Sequence, residues 1–270
     1  MHTENGNGSE ATVGEGVLHV AFVLDKSGSM QSVEEAVVAG YNDYLRELRG
    51  QGGETRFTLT TFDTSFQHVC IGEPLDTVTE LRHRDYRPGG MTALYDAIAH
   101  TVLESDRRLH SDGHGAEKVL VVVMTDGLEN SSTDYDAHTI AELVRTYDER
   151  PNWTFVYLGA GHDSIEATRH AASQMGYKTD NAMRWTHDPA SARKSMHSLA
   201  DATALHRRSP ALKSERFFDD AGQSPSDYQH VEPAHSQPPP EPQHAKIHRR
   251  NLGDVLHSSQ QRDTEPGDGL

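Results

Sequence analysis

Apolar runs of strand length alternate along this chain with segments in which apolar residues recur at helical spacing. The longest uninterrupted runs are VLHVAFVL (17–24), KVLVVVM (118–124) and NWTFVYLGA (152–160), and they predict buried strands. Apolar residues at helical spacing predict helices over residues 32–48, 92–109, 135–147, 163–175 and 188–205. This alternation is typical of an α/β fold whose parallel sheet is covered by helices on both faces.

Two further segments predict a hairpin at one edge of that sheet. RFTLTTF (56–62) and FQHVCIG (66–72) are rich in β-forming residues, and only DTS separates them. AMRWT (182–186) predicts a weak last strand. We therefore expect a mostly parallel central sheet that carries one antiparallel edge strand.

Two of the predicted helices begin with capping signals. Ser32 and Glu35 have the spacing of a capping box, which predicts that the first helix starts at Ser32. Asp188 followed by Pro189 predicts an N-cap and a first helical position for the last helix. Both signals place a helix start directly after a loop.

Composition divides the chain into three parts. Residues 1–16 are rich in Gly, Asn, Glu and Ser and predict a disordered leader. Residues 17–205 hold all the predicted strands and helices and predict a single domain. Residues 206–270 contain few aliphatic side chains and the stretch SQPPPEPQ, and they predict a disordered tail.

The net charge of the chain limits the kinds of ligand that it is suited to bind. Its formal net charge is −16, from 25 basic and 41 acidic residues, and most of the excess lies in residues 1–205. A chain this acidic is a poor candidate for binding nucleic acid or an anionic membrane surface. It is better suited to metal cations or to basic surfaces of partner proteins.

Several features favour a cytoplasmic location. The single cysteine, Cys70, cannot form an internal disulfide, and its place in a strand pattern predicts a small buried side chain. The N-terminal residues are polar and lack the apolar stretch of a signal peptide. The longest aliphatic run, VLVVVM (119–124), is too short to span a bilayer.

Three loops at the predicted carboxyl edge of the sheet carry oxygen donors. Asp25, Ser27 and Ser29 directly follow the first strand in FVLDKSGSM. Thr92 precedes a helix in RPGGMT, and Asp126 follows the central strand in VVVMTDG. Open parallel sheets bind ligands outside the carboxyl ends of their strands, so we expect these five side chains to share one site.

These residue types predict a site for a hard divalent cation. Mg²⁺ takes six oxygen ligands and usually binds proteins through one or two carboxylates. Asp25 and Asp126 supply carboxylates, and the hydroxyls complete a shell without adding charge. The Asp-x-Ser-x-Ser alternation directs every second side chain to one side, and Gly28 permits a tight turn. We expect Mg²⁺ as the cofactor, with Mn²⁺ and Ca²⁺ as alternatives.

The segments DKSGSM, GGMTALYDAI and VVVMTDGLEN together resemble the von Willebrand factor A (vWA) family. The resemblance covers roughly residues 17–161, extends more weakly to Leu205, and is greatest to small bacterial vWA proteins. It implies a Rossmann-like fold with a metal-ion-dependent adhesion site (MIDAS) made of Asp-x-Ser-x-Ser, a separate Thr and a separate Asp. All five MIDAS positions are present here, as Asp25, Ser27, Ser29, Thr92 and Asp126.

The resemblance implies protein–protein recognition and not catalysis. Ser27, Ser29 and often Thr92 would contact the metal directly, and the two aspartates would often act through water. An Asp or Glu of a partner protein would complete the coordination of the metal. Family members of this shape often act beside ATPases or in assemblies encoded by neighbouring genes, so the expected partner is such a protein.

Two other functions are left open by the sequence. A metal-assisted hydrolase would use Ser27 or Ser29 as nucleophile, although the chain lacks a G-x-S-x-G elbow, a P-loop and a histidine spaced as the base. In the second alternative the metal is purely structural and the tail binds the partner. Beside the site, Glu129 and Asn130 could shape its rim. The 18 histidines show no zinc-binding spacing and are expected mostly on the solvated surface.

Overall fold

The computed structural model describes residues 16–111, 117–160 and 164–218. In these residues one sheet is formed by β1 (Leu18–Asp25), β2 (Thr55–Phe62), β3 (Phe66–Pro74), β4 (Lys118–Thr125), β5 (Trp153–Gly159) and β6 (Ala182–Arg184). The helices are α1 (Glu34–Gly50), α2 (Leu94–Ser111), α3 (Ala137–Asp148), α4 (Ile165–Gln174) and α5 (Pro189–Arg208). The strand order is β3-β2-β1-β4-β5-β6, and β2–β3 is the antiparallel pair. The predicted α/β class with one antiparallel edge strand is confirmed.

The central strands are buried on both faces, which explains their uninterrupted apolar sequences. In β1, Phe22 and Leu24 lie in a core shared with α1 and α5, whereas Ala21 and Val23 lie in a second core with α2, α3 and α4. The alternation follows from the period of two residues in a strand. Every residue of β1 and β4 is buried, so these strands form a rigid base for the loops at their ends.

The start of the first helix differs from the prediction. Residues Gly28–Val33 form a 3₁₀ helix, and α1 begins only at Glu34, with Val33 at the N-cap and no side-chain capping bond. The predicted Ser32–Glu35 capping box is therefore wrong. The hydroxyl of Ser32 instead lies 3.4 Å from Nδ1 of His187. The 3₁₀ helix that follows Asp25 thus includes Ser32 and Val33, which the sequence pattern assigned to the first α-helix.

The last helix starts as predicted but ends later. Asp188 is its N-cap, with Oδ1 accepting a hydrogen bond from the Ser191 amide at 2.9 Å. The helix continues to Arg208, and Phe217 and Phe218 are buried in the core. The stretch 206–218 therefore packs with the domain, although the sequence analysis assigned it to the tail. The predicted leader up to residue 15 and the predicted tail from residue 219 lie outside the described residues.

The parallel register brings several strand ends to one edge of the sheet. Leu24 of β1 pairs with Met124 of β4, so Asp25 and Thr125 both lie at this edge. On the other side of β4, Thr125 pairs with Gly159. Gly159 in turn pairs with Arg184, the last residue of β6. We call this the carboxyl edge. Among the described helices, none is long and apolar enough to cross a membrane.

Candidate metal centre

Asp25 is the last residue of β1, and its carboxylate is completely buried. Oδ1 accepts a hydrogen bond from the Ser27 amide at 2.7 Å, and Oδ2 accepts one from the Thr125 hydroxyl at 2.5 Å. The Tyr86 hydroxyl, also buried, donates to the Asp25 carbonyl oxygen at 2.5 Å. Asp25 is therefore held at its side chain and its backbone by three different segments of the chain.

The environment of Asp25 is unfavourable for its negative charge. Burial, with a smaller contribution from the nearby Asp126, raises the pKa of Asp25 to about 6 against the opposing hydrogen bonds from Thr125 and Ser27. Within the described residues, no ion pair neutralises this carboxylate. The adjacent Lys26 is directed to Asp63, with which it forms an ion pair. A buried carboxylate without a cationic side chain fits a bound metal cation, which would supply the missing positive charge.

Ser27, Ser29 and Asp126 form a connected set of donors beside Asp25. The hydroxyls of Ser27 and Ser29 lie 3.1 Å apart. Ser29 donates a hydrogen bond to Oδ1 of Asp126 at 2.7 Å. Asp126 is buried, whereas Ser29 is exposed, so the set leads from the protein interior to the surface.

Thr92 reaches the same place from the loop before α2. Its amide donates to Oδ1 of Asn130 at 2.8 Å, and its carbonyl accepts from the Asn130 amide at 3.0 Å. A Cβ atom added to Gly127 would lie 3.3 Å from the Thr92 hydroxyl and 3.9 Å from Oδ2 of Asp25. Both side chains therefore flank Gly127. The absence of a side chain at this position leaves room between them.

A second set of backbone contacts joins the loop before Thr92 to the loop after β1. The Gly28 amide donates to the Gly90 carbonyl at 3.2 Å, and the Gly89 amide donates to the Lys26 carbonyl at 2.9 Å. Gly90 has a φ of +72°, a conformation that favours glycine. The sequence GGMT thus makes a turn that fixes Thr92 against the first loop.

Glu129 and Asn130 have a structural role at the rim. Glu129 accepts hydrogen bonds from the amides of Ser131, Ser132 and Tyr95, at 2.8, 2.6 and 2.9 Å. Together with the Asn130–Thr92 pair, these bonds attach the loop after Asp126 to the start of α2. The expectation that these two residues shape the rim agrees with this geometry.

Three residues contribute to the site without having been predicted from sequence: Thr125, Tyr86 and His187. Thr125 and Tyr86 orient Asp25. The Nε2 atom of His187 lies 2.7 Å from Oδ2 of Asp126. His187 follows β6, whose carboxyl end lies at the same edge of the sheet. This position after a strand was the only feature of the sequence that could have indicated its place near the site. His187 is exposed, as the sequence analysis expected of most histidines, and from the surface it contacts Asp126.

The geometry does not favour a serine nucleophile. In the described residues Ser29 contacts Ser27 and Asp126, and no imidazole lies within hydrogen-bond distance of it. His187 contacts the carboxylate of Asp126 and not a candidate nucleophile. An activated nucleophile needs its base within hydrogen-bond reach. Over the same described ranges, no three His, Cys, Asp or Glu side chains cluster as metal ligands, so an ion bound here would also need hydroxyl ligands.

Comparison with known families identifies the domain. The von Willebrand factor type A domain family matches residues 19–186, which is more than half of the chain. The chain belongs to this family. The match includes Asp25, Ser27, Ser29, Thr92 and Asp126 by position, and it ends before α5. Among curated proteins, no sequence matches the chain.

Two solved structures of von Willebrand factor domains share the fold, and a third protein aligns less well. A von Willebrand factor type A protein from Catenulispora acidiphila aligns with a TM-score of 0.50 and 15% identity, over 71% of this chain and 43% of its own. The vWF domain of the type V pili tip protein Mfa5 from Porphyromonas gingivalis aligns with a TM-score of 0.52 and 10% identity, over 73% and 98%. Proximal thread matrix protein 1 from the mussel byssus gives 0.49 and 16%, over 70% and 46%. This chain thus spans less than half the length of the first and third of these proteins. At these identities, the similarity shows the fold alone.

Proposed function

We propose that this vWA domain is a non-catalytic recognition module that binds a divalent cation and uses it to capture a carboxylate of a partner protein. The metal ligands are Asp25, Ser27, Ser29, Thr92 and Asp126, and Mg²⁺ is the first candidate for the ion. When bound, the ion supplies a coordination position open to an Asp or Glu from the partner. The chain's own residues hold the ion, orient its ligands and form the surrounding contact surface.

The observation that carries this proposal is the convergence of five oxygen-bearing side chains at the carboxyl edge around a buried, uncompensated carboxylate. Three of the five donors are neutral hydroxyls, and where the aspartates act through water the ligands in direct contact leave the ion electrophilic toward an incoming carboxylate. Ser29 is exposed, so the set opens to the surface. A recognition role uses this opening, whereas a purely structural metal has no need of it.

The surface beside the donors also supports a protein partner. Met91 and Leu128 are 49% and 61% exposed, and they are the immediate neighbours of Thr92 and Gly127. These two apolar side chains are exposed directly beside the proposed donors, where a bound partner could cover them. We infer that the partner presents its acidic residue together with apolar groups that cover these two side chains.

Metal binding is tested first, by the melting temperature of the full chain as Mg²⁺ or Mn²⁺ is titrated. Binding to the native state raises the melting temperature by mass action. We expect the rise to be lost in Asp25→Ala and Asp126→Ala. The matched control is Asp76→Ala, because Asp76 is exposed and follows β3 at the opposite edge of the sheet. A melting curve that is unchanged by either metal in the wild-type protein would contradict the proposal.

Partner capture is tested by affinity purification with and without chelator, followed by measurement of the dissociation constant with the purified partner. The proposal requires that chelator and Asp126→Ala each weaken this binding, and that one Asp or Glu of the partner is essential. Truncation of the chain after residue 218 tests the alternative in which the tail, and not the metal centre, binds the partner. Binding that survives chelator but is lost on truncation would assign recognition to the tail.

A further inference from the structure

His187 lies at the proposed metal centre although no metal-binding pattern in the sequence includes it. Its Nε2 atom is 2.7 Å from Oδ2 of Asp126, and its side chain is 35% exposed. On the other side of the ring, Nδ1 lies 3.4 Å from the hydroxyl of Ser32. The imidazole is thus placed between the last turn of the 3₁₀ helix that precedes α1 and the loop after β4.

The backbone holds His187 in this place from both sides. Two residues earlier, Trp185 is completely buried, and its amide donates to the Gly159 carbonyl at 3.0 Å. One residue later, Asp188 is the N-cap of α5 and also accepts a hydrogen bond from the Thr186 hydroxyl. The connection between β6 and α5 is therefore short and attached at both ends, which keeps the ring near the carboxyl edge.

The distances around His187 are those between neighbouring ligands of one metal ion. Two donors about 2.1 Å from an ion and at right angles to each other are about 3 Å apart. The Ser27–Ser29 oxygens, at 3.1 Å, and the Ser29–Asp126 oxygens, at 2.7 Å, have this separation. The Asp126–His187 contact has the same length, 2.7 Å, and uses the other carboxylate oxygen, Oδ2, so Asp126 faces Ser29 with one oxygen and His187 with the other.

The second nitrogen of the ring has a partner of the kind that ligating histidines use. A metal-bound histidine ordinarily donates its other N–H to an acceptor, which sets the tautomer. Ser32 provides an oxygen on the Nδ1 side. In the metal-free domain Nε2 donates to Asp126; a shift of the proton to Nδ1, with Ser32 as acceptor, would free the Nε2 lone pair for an ion.

We propose that His187 is an additional ligand of this metal centre, and that it shifts the preference of the site from Mg²⁺ or Ca²⁺ toward a first-row transition ion such as Mn²⁺ or Co²⁺. The proposal rests on the metal site of the proposed function. Oxygen-only sets suit Mg²⁺ and Ca²⁺, whereas imidazole nitrogen binds transition ions better. In this arrangement Asp25 supports the site through its bond to the Ser27 amide without contacting the ion, so His187 and four oxygen ligands form a mixed set and one position stays open to the partner carboxylate.

The test is pulsed electron paramagnetic resonance of Mn²⁺ bound to the full chain, with competition by Mg²⁺ and Co²⁺. We expect a hyperfine coupling to one imidazole nitrogen in the wild-type protein, and its loss in His187→Gln. The preference for Co²⁺ over Mg²⁺ should fall on the order of tenfold in this variant. Glutamine keeps a side-chain N–H for Asp126, so a purely hydrogen-bonding role of His187 would leave the metal preference unchanged.

Controls separate this site from the other histidines, of which the chain has 18 in all. His83→Gln removes an exposed imidazole whose partner is Glu34, and it should retain the nitrogen coupling. Asp25→Ala removes the site and reports any Mn²⁺ bound elsewhere. Thermal melting in the presence of chelator shows whether each variant folds. If His187→Gln does not fold, His187→Asn replaces it.

The outcomes distinguish this inference from the function on which it rests. Metal binding with the same nitrogen signal and the same metal preference in His187→Gln would overturn the role of His187 and leave the metal site standing. The absence of any metal binding in the wild-type protein would overturn both.

Discussion

The Thr125 hydroxyl donates a hydrogen bond of 2.5 Å to the Asp25 carboxylate, across the ends of the neighbouring strands β1 and β4. Thr125 also accepts a hydrogen bond from the Gly127 amide at 3.1 Å. One threonine therefore orients a carboxylate from the first loop and the backbone of the loop that carries Asp126. Thr125 therefore links the position of Asp25 to that of Asp126, two of the proposed metal ligands.

Thr125→Val should reduce metal binding without removing any proposed ligand. Valine keeps the shape of threonine but cannot donate to Asp25, and it leaves the Gly127 amide without this acceptor. We expect the free energy of unfolding in chelator to fall by about 1–3 kcal/mol and the metal-induced rise in melting temperature to shrink. Thr125→Ser, which keeps the hydroxyl, is the control. An undiminished metal response in Thr125→Val would show that this bond does not prepare Asp25.

Asp25→Asn should separate stability from metal binding. Because burial raises the pKa of Asp25 to about 6, the metal-free protein carries an unfavourable buried charge at neutral pH. Asparagine has the same shape without the charge. We expect unfolding in chelator at neutral pH to require as much denaturant as for the wild-type protein, or more, and the metal-induced stabilisation to disappear. A large loss of stability in chelator would contradict this interpretation of the burial.

Gly90→Ala should disturb the loop that positions Thr92. The φ of Gly90 is +72°, and an added Cβ would lie 2.6 Å from the Thr64 hydroxyl. We expect a loss of about 1–2 kcal/mol in the free energy of unfolding, together with weaker metal binding. Gly89→Ala is the matched control, because no atom lies within 4 Å of a Cβ at that position. Calorimetric titration with Mn²⁺ measures both variants, and equal affinities would rule out a specific role for the Gly90 turn.

His206 should make the domain less stable in mildly acidic solution. Burial, with a smaller effect of the nearby Lys118, lowers the pKa of His206 from 6.5 to about 4. The unfolded chain therefore takes up a proton below pH 6.5 that the folded chain takes up only near pH 4. The stability contribution is intact above pH 6.5 and is lost progressively between these values, up to about 3 kcal/mol.

This pH dependence is measured as the difference between the wild-type protein and His206→Leu, so that other titrating groups cancel. The ring packs against Phe217, with centroids 5.9 Å apart, and leucine suits the same apolar surroundings. The difference in the free energy of unfolding should change steadily between pH 6.5 and 4 and be flat above. A difference that does not vary with pH would contradict the lowered pKa.

Leu128→Ser and Met91→Ser should weaken partner binding but not metal binding. Both side chains are exposed in the free domain, so their replacement removes contact area with a partner and little else. We expect the dissociation constant for the partner to rise about tenfold per substitution, equivalent to about 1.4 kcal/mol, with an unchanged response to Mn²⁺. Leu212→Ser is the control. Leu212 is also exposed, and the neighbouring Lys213 pairs with Asp148 at the end of α3, which lies at the edge of the sheet opposite the proposed metal centre. Unchanged affinity in both test variants would place the partner elsewhere.

Hydrophobic periodicity predicted the strands and helices of this domain well, because both faces of the central sheet are buried. The uninterrupted apolar run ending at Leu24 and the alternating contacts of β1 are two aspects of the same arrangement. Boundaries were less predictable. The Ser32–Glu35 pair has the spacing of a capping box, but a 3₁₀ helix occupies residues 28–33. The stretch 206–218 is polar in composition, yet Phe217 and Phe218 add to the core.

For the site, the order of residues alone shows which oxygen-bearing side chains follow the strands, because that information is local. The contacts of Tyr86 with the Asp25 backbone, of Thr125 with the Asp25 carboxylate and of His187 with Asp126 are visible only in the folded domain. These contacts join residues far apart in the chain. They depend on the register of parallel strands and on the path of the connections between them, which no local periodicity encodes.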